Sequence, residues 1–283
     1  MKKRTKVAAT LAAAAGLAAL PASAQAAITL AGSGSSASTP YVEALAKGYK
    51  KVNPNVKITY LPNNGNAGAK DVQAGRSAFA IQTRPPLPSD SGLAYSKLFL
   101  DALTISVNPA NKLNDLQVSQ VKDIFTGKVT EWSAFPNSGF SQPIAAFGRP
   151  STAGLYTFFT SAVLDGEAHG TNVTPLDKDG EVAVAVSKNP QGIGYVGLAN
   201  SKPASGVKRL SLNGIPPTQA TIKSLKYPLS RYAWLVTSAT NPSKEALKFG
   251  DWIRSSYEAG VIIDKLGAVP AFNATKKSKK KKK

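Results

Sequence analysis

AGSGSSASTPY, residues 31–41, follows a short β-prone segment at 28–30 and leads into residues 40–52, where Tyr41, Leu45 and Tyr49 recur at helical spacing. Gly32 and Gly34 permit a tight turn and close backbone approach. Ser36, Ser38 or Thr39 can cap the helix, and Pro40 suits its first turn. A strand, a Gly/Ser turn and a helix start, in that order, point unpaired N–H groups and a positive dipole end at one place. NNGNAGAK at 63–70 and GRPSTAGLY at 148–156 repeat the design, the latter with Arg149, able to bind an oxyanion bidentately. None of the three stretches contains Asp or Glu, so no acid opposes an anion there. None has the Lys-Ser/Thr ending of a P-loop, and the glycines at 32 and 34 lack dinucleotide-fingerprint spacing.

Around these loops, strand-like and helix-like patterns alternate. Residues 56–60, 79–81, 103–107, 193–196 and 233–237 read as strands. A short helix opens at 70–73, another spans 155–164 with Tyr156, Phe159 and Val163 on one face, and an amphipathic helix spans 245–259. The alternation predicts an α/β fold with parallel sheet layers.

The ends of the chain carry most of its charge. Of 283 residues, 35 are Lys or Arg and 16 are Asp or Glu, a formal +19. Lys2, Lys3, Arg4 and Lys6 precede an apolar run at 7–20, and Ala24-Gln25-Ala26 fits a small-x-small cleavage site. Residues 1–26 are therefore expected to be a signal peptide, which places the protein outside the cytoplasm, in a periplasm or at the cell surface. The C-terminus holds seven lysines within 276–283, expected to form a disordered tail. Setting both ends aside leaves 24 basic and 16 acidic residues in 27–275, a balance of +8. The lysine run has no interleaved aromatics, which argues against a nucleic-acid reader.

The chain has no cysteine, which excludes disulfides, thiolate catalysis and a lipid anchor on cysteine. His169 is the only histidine, so a zinc site would need carboxylates for its other protein ligands, and no cofactor or metal is expected. A serine-hydrolase reading lacks a Gly-x-Ser-x-Gly elbow and would depend on His169, in the polar loop EAHGTN, where a solvated side chain is expected. The protein is accordingly expected not to be an enzyme.

The sequence resembles a known family through GSGSS (32–36), NNGNAGAKDVQAG (63–75), FAIQTRPPL (79–87), the long stretch 101–135, GRPSTAGLYTFF (148–159), NPQGIGYVGLAN (189–200) and YPLSRYAWLVT (227–237). These look like the periplasmic-type phosphate-binding proteins of high-affinity phosphate ABC transporters. The resemblance implies a two-lobed periplasmic-binding-protein-like fold of type II, each lobe a sheet flanked by helices, joined by two hinge strands. Residues 27–105 and 200–275 would form lobe I and 106–199 lobe II, with the hinge near Val107-Asn108 and Ala199-Asn200. It also implies that Ser35 and Ser36 hold phosphate or a similar oxyanion, with Asn66 where the family has a serine, and Arg149 at the family's arginine. The partners implied are that anion and an ABC-transporter permease, with the protein a monomer.

Two departures stand out. The family's Ser-Gly-Thr aligns with Ala153-Gly154-Leu155, leaving Gly154 in place and Ser151 and Thr152 as substitute hydroxyls. The family's proton-accepting aspartate falls in the stretch Gln82-Thr83-Arg84, with Thr83 a candidate ligand and Arg84 either a second cation or a surface arginine before Pro85-Pro86. These losses put selectivity against sulfate in question and motivate an alternative. In it, the chain is a surface-retention or adhesion module with reduced anion binding, held on anionic cell-surface polymers by its lysine tail.

Overall fold

The computed structural model describes residues 27–202 and 205–270. The expected signal peptide and lysine tail lie outside the described residues. In chain order the strands are β1 (Ile28–Gly34), β2 (Val56–Leu61), β3 (Phe79–Gln82), β4 (Leu93–Val107), β5 (Asp115–Leu116), β6 (Ala145–Gly148), β7 (Val173–Pro175), β8 (Gly192–Gly197), β9 (Lys208–Arg209), β10 (Ser211–Leu212), β11 (Ser230–Ser238) and β12 (Val269–Pro270). The helices are α1 (Thr39–Val52), α2 (Gly65–Gln73), α3 (Val118–Phe125), α4 (Gly154–Val163), α5 (Asp179–Lys188), α6 (Gln219–Lys223), α7 (Lys244–Ser255) and α8 (Tyr257–Lys265).

The main sheet runs β2-β1-β3-β11-β4-β8-β6-β7. Pairing is parallel between β1 and β2, β1 and β3, β6 and β7, and β6 and β8, as the strand–helix alternation predicts. The two central strands break that rule: β11 is antiparallel to both β3 and β4, and β4 is antiparallel to β8. β4 joins the two halves of the molecule. Its residues 93–102 pair with β11, and residues 103–107 pair with β8. Covered on both faces from Leu98 onward, it reads as an almost continuous apolar run, which is the pattern of a strand buried on both sides. Asp101 interrupts that run and is tolerated because Arg231 and the Tyr41 hydroxyl meet its carboxylate.

Each half has its own core. One packs Tyr41, Leu45, Tyr49, Phe79 and Phe249 beneath α1, α7 and α8, with Tyr49 edge-on to both Phe249 and Trp252. The other packs Ile105, Phe125, Trp132, Phe159 and Tyr195.

Several expected boundaries move. The helix expected at 70–73 begins at Gly65, where a Gly/Asn-rich sequence hides it. The single helix expected at 245–259 is two, because Ser256 leaves α7 in extended backbone and caps α8 by accepting from the Ala259 N–H. The return to the first half also comes later than residue 200. β9 pairs with the 106–107 end of β4 and β10 with β5, while Leu210, Ile222, Tyr227 and Leu229 fill the second core. The chain crosses back at Ser230, on entering β11.

Candidate functional site

The three Gly-rich loops converge. Gly34 has φ 126°, a conformation open to glycine, and a side chain there would strike the Ile81 carbonyl. Gly68 packs against it so closely that an added Cβ would lie 2.5 Å from the Gly34 Cα. Asn64 donates its N–H to the Gly34 carbonyl at 3.0 Å, accepts with its side chain from the Ala67 N–H at 2.9 Å, and so caps α2. Across the seam between the two halves, the Asn66 amide Nδ2 donates to the Thr152 carbonyl at 3.2 Å and faces Thr157 Oγ1 at 3.4 Å.

None of Ser36, Ser38 and Thr39 supplies the expected side-chain cap at α1. The Ser36 hydroxyl reaches instead across the seam, accepting from Arg149 Nη1 at 3.0 Å and from the Asp179 N–H at 3.2 Å. The N-terminus of α5 is thus a fourth element at the site. Its sequence, LDKDGEV, lacks the Gly/Ser signature that marked the other three. The Asp179 carboxylate turns away to accept from the Gly197 N–H and from Asn200 Nδ2, and burial pushes its pKa up.

Arg149 is 2% exposed. Nε donates to the Leu176 carbonyl at 2.9 Å and Nη2 to the Asp177 carbonyl at 2.5 Å, while its backbone N–H donates to the Tyr195 hydroxyl at 2.7 Å. Three of the five guanidinium N–H bonds are thereby used and two remain. Burial lowers its pKa, opposed by the field of Asp179 and more weakly of Asp177, yet an arginine stays charged.

Two other arginines are as deeply buried, and each has a carboxylate: Arg84 meets Asp90 at 2.7 Å and Arg231 meets Asp101 at 2.8 Å. Among the described residues no carboxylate lies within 4.0 Å of Arg149, although a buried cation without a counter-charge is costly. The site therefore holds one positive charge without an ion-pair partner, eased by the more distant field of Asp179 and backed by the N-termini of α2, α4 and α5. No side chain caps α4.

The remaining sequence candidates divide. Ser35 and Thr83 are buried, with their hydroxyl oxygens 3.4 Å apart beside Ser36. Gly154 opens α4 and lies against Gly65, where an added Cβ would be 3.5 Å from the Gly65 Cα. Ser151 and Thr152 are exposed at the rim, and the Thr152 contact to Asn66 runs through the backbone carbonyl. Arg84 is neither a second free cation nor a surface residue. Its guanidinium grips both Asp90 oxygens, and its Nε donates to Asn66 Oδ1 at 2.7 Å. That bond fixes the Asn66 amide with Nδ2 toward the second half of the molecule.

His169 also departs from its expected solvated state. It sits among Phe125, Tyr156, Phe159 and Tyr195, with Nε2 3.4 Å from the Tyr195 hydroxyl, and burial lowers its pKa to about 4. Gln82, which no motif marked as a site residue, is fully buried between Gly65 and Gly154.

Two half-sheets sharing one strand, with helix N-termini and a buried arginine facing their seam, define the class of two-lobed solute-binding proteins. The chain belongs to the PBP superfamily, whose domain model matches residues 20–256. It is 31% identical over 256 residues to the phosphate-binding protein PstS of Staphylococcus haemolyticus, covering 82% of this chain and 79% of the relative. It is 27% identical to PstS of Bacillus subtilis, covering 84% and 79%. Its fold is similar to that of a phosphate ABC transporter substrate-binding protein from Clostridium perfringens solved with bound phosphate. There the TM-score is 0.80 and the identity 25%, across 86% of this chain and 99% of that one.

Proposed function

We propose that this chain is the phosphate-binding component of an ABC uptake system, capturing the anion between its two halves. The observation that carries this reading is Arg149, buried, charged and without a carboxylate partner. An anion with several acceptor oxygens would take its two spare N–H bonds, the Ser36 hydroxyl proton and free N–H groups at the first turn of α4 together. Ser35 and Thr83 stand beside them. Because these groups come from both halves, the ligand favours the form in which the halves meet, and binding and closure are one equilibrium. Nothing in this chemistry calls for a bond to be made or broken, and His169 is enclosed by aromatic rings away from any serine partner. We read the chain as a binding protein rather than an enzyme, and as a monomer.

Isothermal titration of the purified chain with inorganic phosphate tests the reading. Saturable one-to-one heat is expected, and its absence with every oxyanion would refute the proposal.

The leader at 1–26 supports an extracytoplasmic location, and no helix among the described residues is long and apolar enough to cross a membrane. The seven lysines in 276–283 favour an added role, retention on anionic cell-surface polymers. Retention should fall with added salt and on deleting 276–283, and retention indifferent to both would reject it.

A further inference from the structure

Arg149 is the first residue beyond the ladders that hold β6. Those ladders end at Phe147 opposite Gly194 on β8 and at Gly148 opposite Pro175 on β7. A buried N–H past the end of a sheet needs an acceptor from elsewhere. That of Arg149 finds the Tyr195 hydroxyl at 2.7 Å. Tyr195 is fully buried, and its ring lies on Phe159 with centroids 4.0 Å apart and planes 16° from parallel. Phe125 and His169 close two further sides, each with its centroid 5.6 Å away. The ring has no room to swing, so its hydroxyl is as fixed as the core around it. Gly148 makes the approach possible, since an added Cβ there would lie 2.8 Å from His169 Cε1 and 3.1 Å from Tyr195 Cε1. On the other side, Pro150 restricts Arg149 to extended backbone.

Resting on the reading of this site as an oxyanion site, we infer that Tyr195 is a positioning residue for anion binding, its hydroxyl fixing the Arg149 backbone and with it the place where the guanidinium meets the anion. At its far end the guanidinium is held by the carbonyls of Leu176 and Asp177 and by Ser36. Those contacts aim it only while the end of β6 stays in place, because the Leu176 N–H is itself tied to the Gly148 carbonyl at 2.9 Å. With backbone and guanidinium both anchored, little rotamer freedom remains to be lost when an anion binds. Without the hydroxyl, the Arg149 N–H becomes a buried donor with no acceptor, and the strand end relaxes to find one. The arginine must then be drawn back whenever an anion binds, which lowers the apparent affinity by the fraction of molecules in the competent arrangement. A binding group works only when the shell behind it holds it to within about 0.5 Å. His169 Nε2 lies 3.4 Å from the same hydroxyl, so the chain's only histidine belongs to this supporting shell.

The test is calorimetric titration with inorganic phosphate of the purified chain, of Tyr195→Phe and of Tyr227→Phe. Tyr195→Phe keeps the ring and its stacking and removes only the oxygen. It should weaken phosphate binding by about tenfold, the effect of leaving a buried donor unsatisfied. Tyr227→Phe removes a buried hydroxyl from the same core, one that makes no bond to Arg149, and should leave the affinity within about twofold. Magnetic resonance of the chain isotope-labelled on arginine adds a reading that a loss of stability alone does not move. The Arg149 amide should exchange slowly with solvent in the unaltered chain without phosphate, and the Arg149 Nε resonance should shift in Tyr195→Phe and not in Tyr227→Phe. Unchanged affinity in Tyr195→Phe overturns the inference and leaves phosphate binding intact, and an equal loss in both variants overturns it as well. The amide reading stands even where Tyr195→Phe does not fold: slow exchange supports the inference and rapid exchange overturns it. Failure of the unaltered chain to bind phosphate would instead refute the oxyanion reading on which it rests.

Discussion

Acidification should destabilise this protein through one side chain, and the size of the effect follows from where His169 sits. Burial among Phe125, Tyr156, Phe159 and Tyr195 favours the neutral imidazole and lowers its pKa from the ordinary 6.5 to about 4. Between those values the unfolded chain binds a proton that the folded chain refuses, so stability rises with pH across that window. The contribution is fully present above pH 6.5 and is lost as pH falls through 4. A shift of this size corresponds to about 3 kcal/mol in full, and partial exposure of the ring to solvent reduces that to about 2 kcal/mol. The perturbation is His169→Phe, which suits the aromatic surroundings and removes the titrating group. Urea unfolding at pH 7 and pH 4.5 should show the unaltered chain losing about 2 kcal/mol more than the variant over that interval. Carboxylates elsewhere titrate in both proteins and cancel in the difference. Identical losses would refute the placement of His169 as a buried neutral base. The consequence reaches the ligand site, since the Tyr195 hydroxyl lies between His169 Nε2 and the Arg149 backbone N–H. A charged imidazole carries a donor on Nε2 facing that hydroxyl.

Three further outcomes are expected. Arg149→Ala should weaken phosphate binding by more than about 100-fold and Ser36→Ala by about tenfold, measured by titration, because a charge-assisted hydrogen bond is roughly twice as strong as a neutral one. Asn66→Ala, which removes the bond to the Thr152 carbonyl across the seam, should raise the phosphate release rate in stopped flow by about three- to tenfold, consistent with a net hydrogen bond of about 1 kcal/mol, and leave the association rate nearly unchanged. Asp101→Leu leaves Arg231 charged and unpaired inside the first half, and should lower unfolding free energy by about 3–5 kcal/mol in denaturant titration.

Those predictions rest on features of unequal legibility in the sequence. Local periodicity marks β1, β2, β3, β8, β11, the end of β4 and the helices α1 and α4, while α3, α5 and β6 carry no pattern strong enough to mark them, and the three Gly-rich loops are legible because their turns need residues without side chains. Gly68 packed on Gly34 is the physical reason those two loops can share a site. What local pattern could not reveal is pairing at a distance. β11 joins β3 and β4 from more than a hundred residues away, and residues 208–229 stay with the second half because Leu210, Ile222 and Leu229 find their partners there. The N-terminus of α5 was equally hidden, because an amide that donates to Ser36 carries no mark in its own side chain.

The arginines make the same point at the level of charge. Arg84 and Arg149 are equally buried, and in the sequence each follows a short strand and precedes proline. Their roles separate on one fact, whether a carboxylate can reach them. The chain after Arg84 doubles back through 88–90 and delivers Asp90, which saturates the charge and leaves Nε to aim Asn66. The chain after Arg149 turns into α4 without an acid, and the acids at 177 and 179 touch the cluster through a backbone carbonyl and a backbone N–H, their carboxylates acting on Arg149 only at longer range. One arginine is thereby neutralised from within and serves as a strut, while the other keeps a charge for a partner from outside. A cation's function in such a fold is decided by the position of the nearest carboxylate, which is a property of the folded chain and not of the arginine's own sequence neighbourhood.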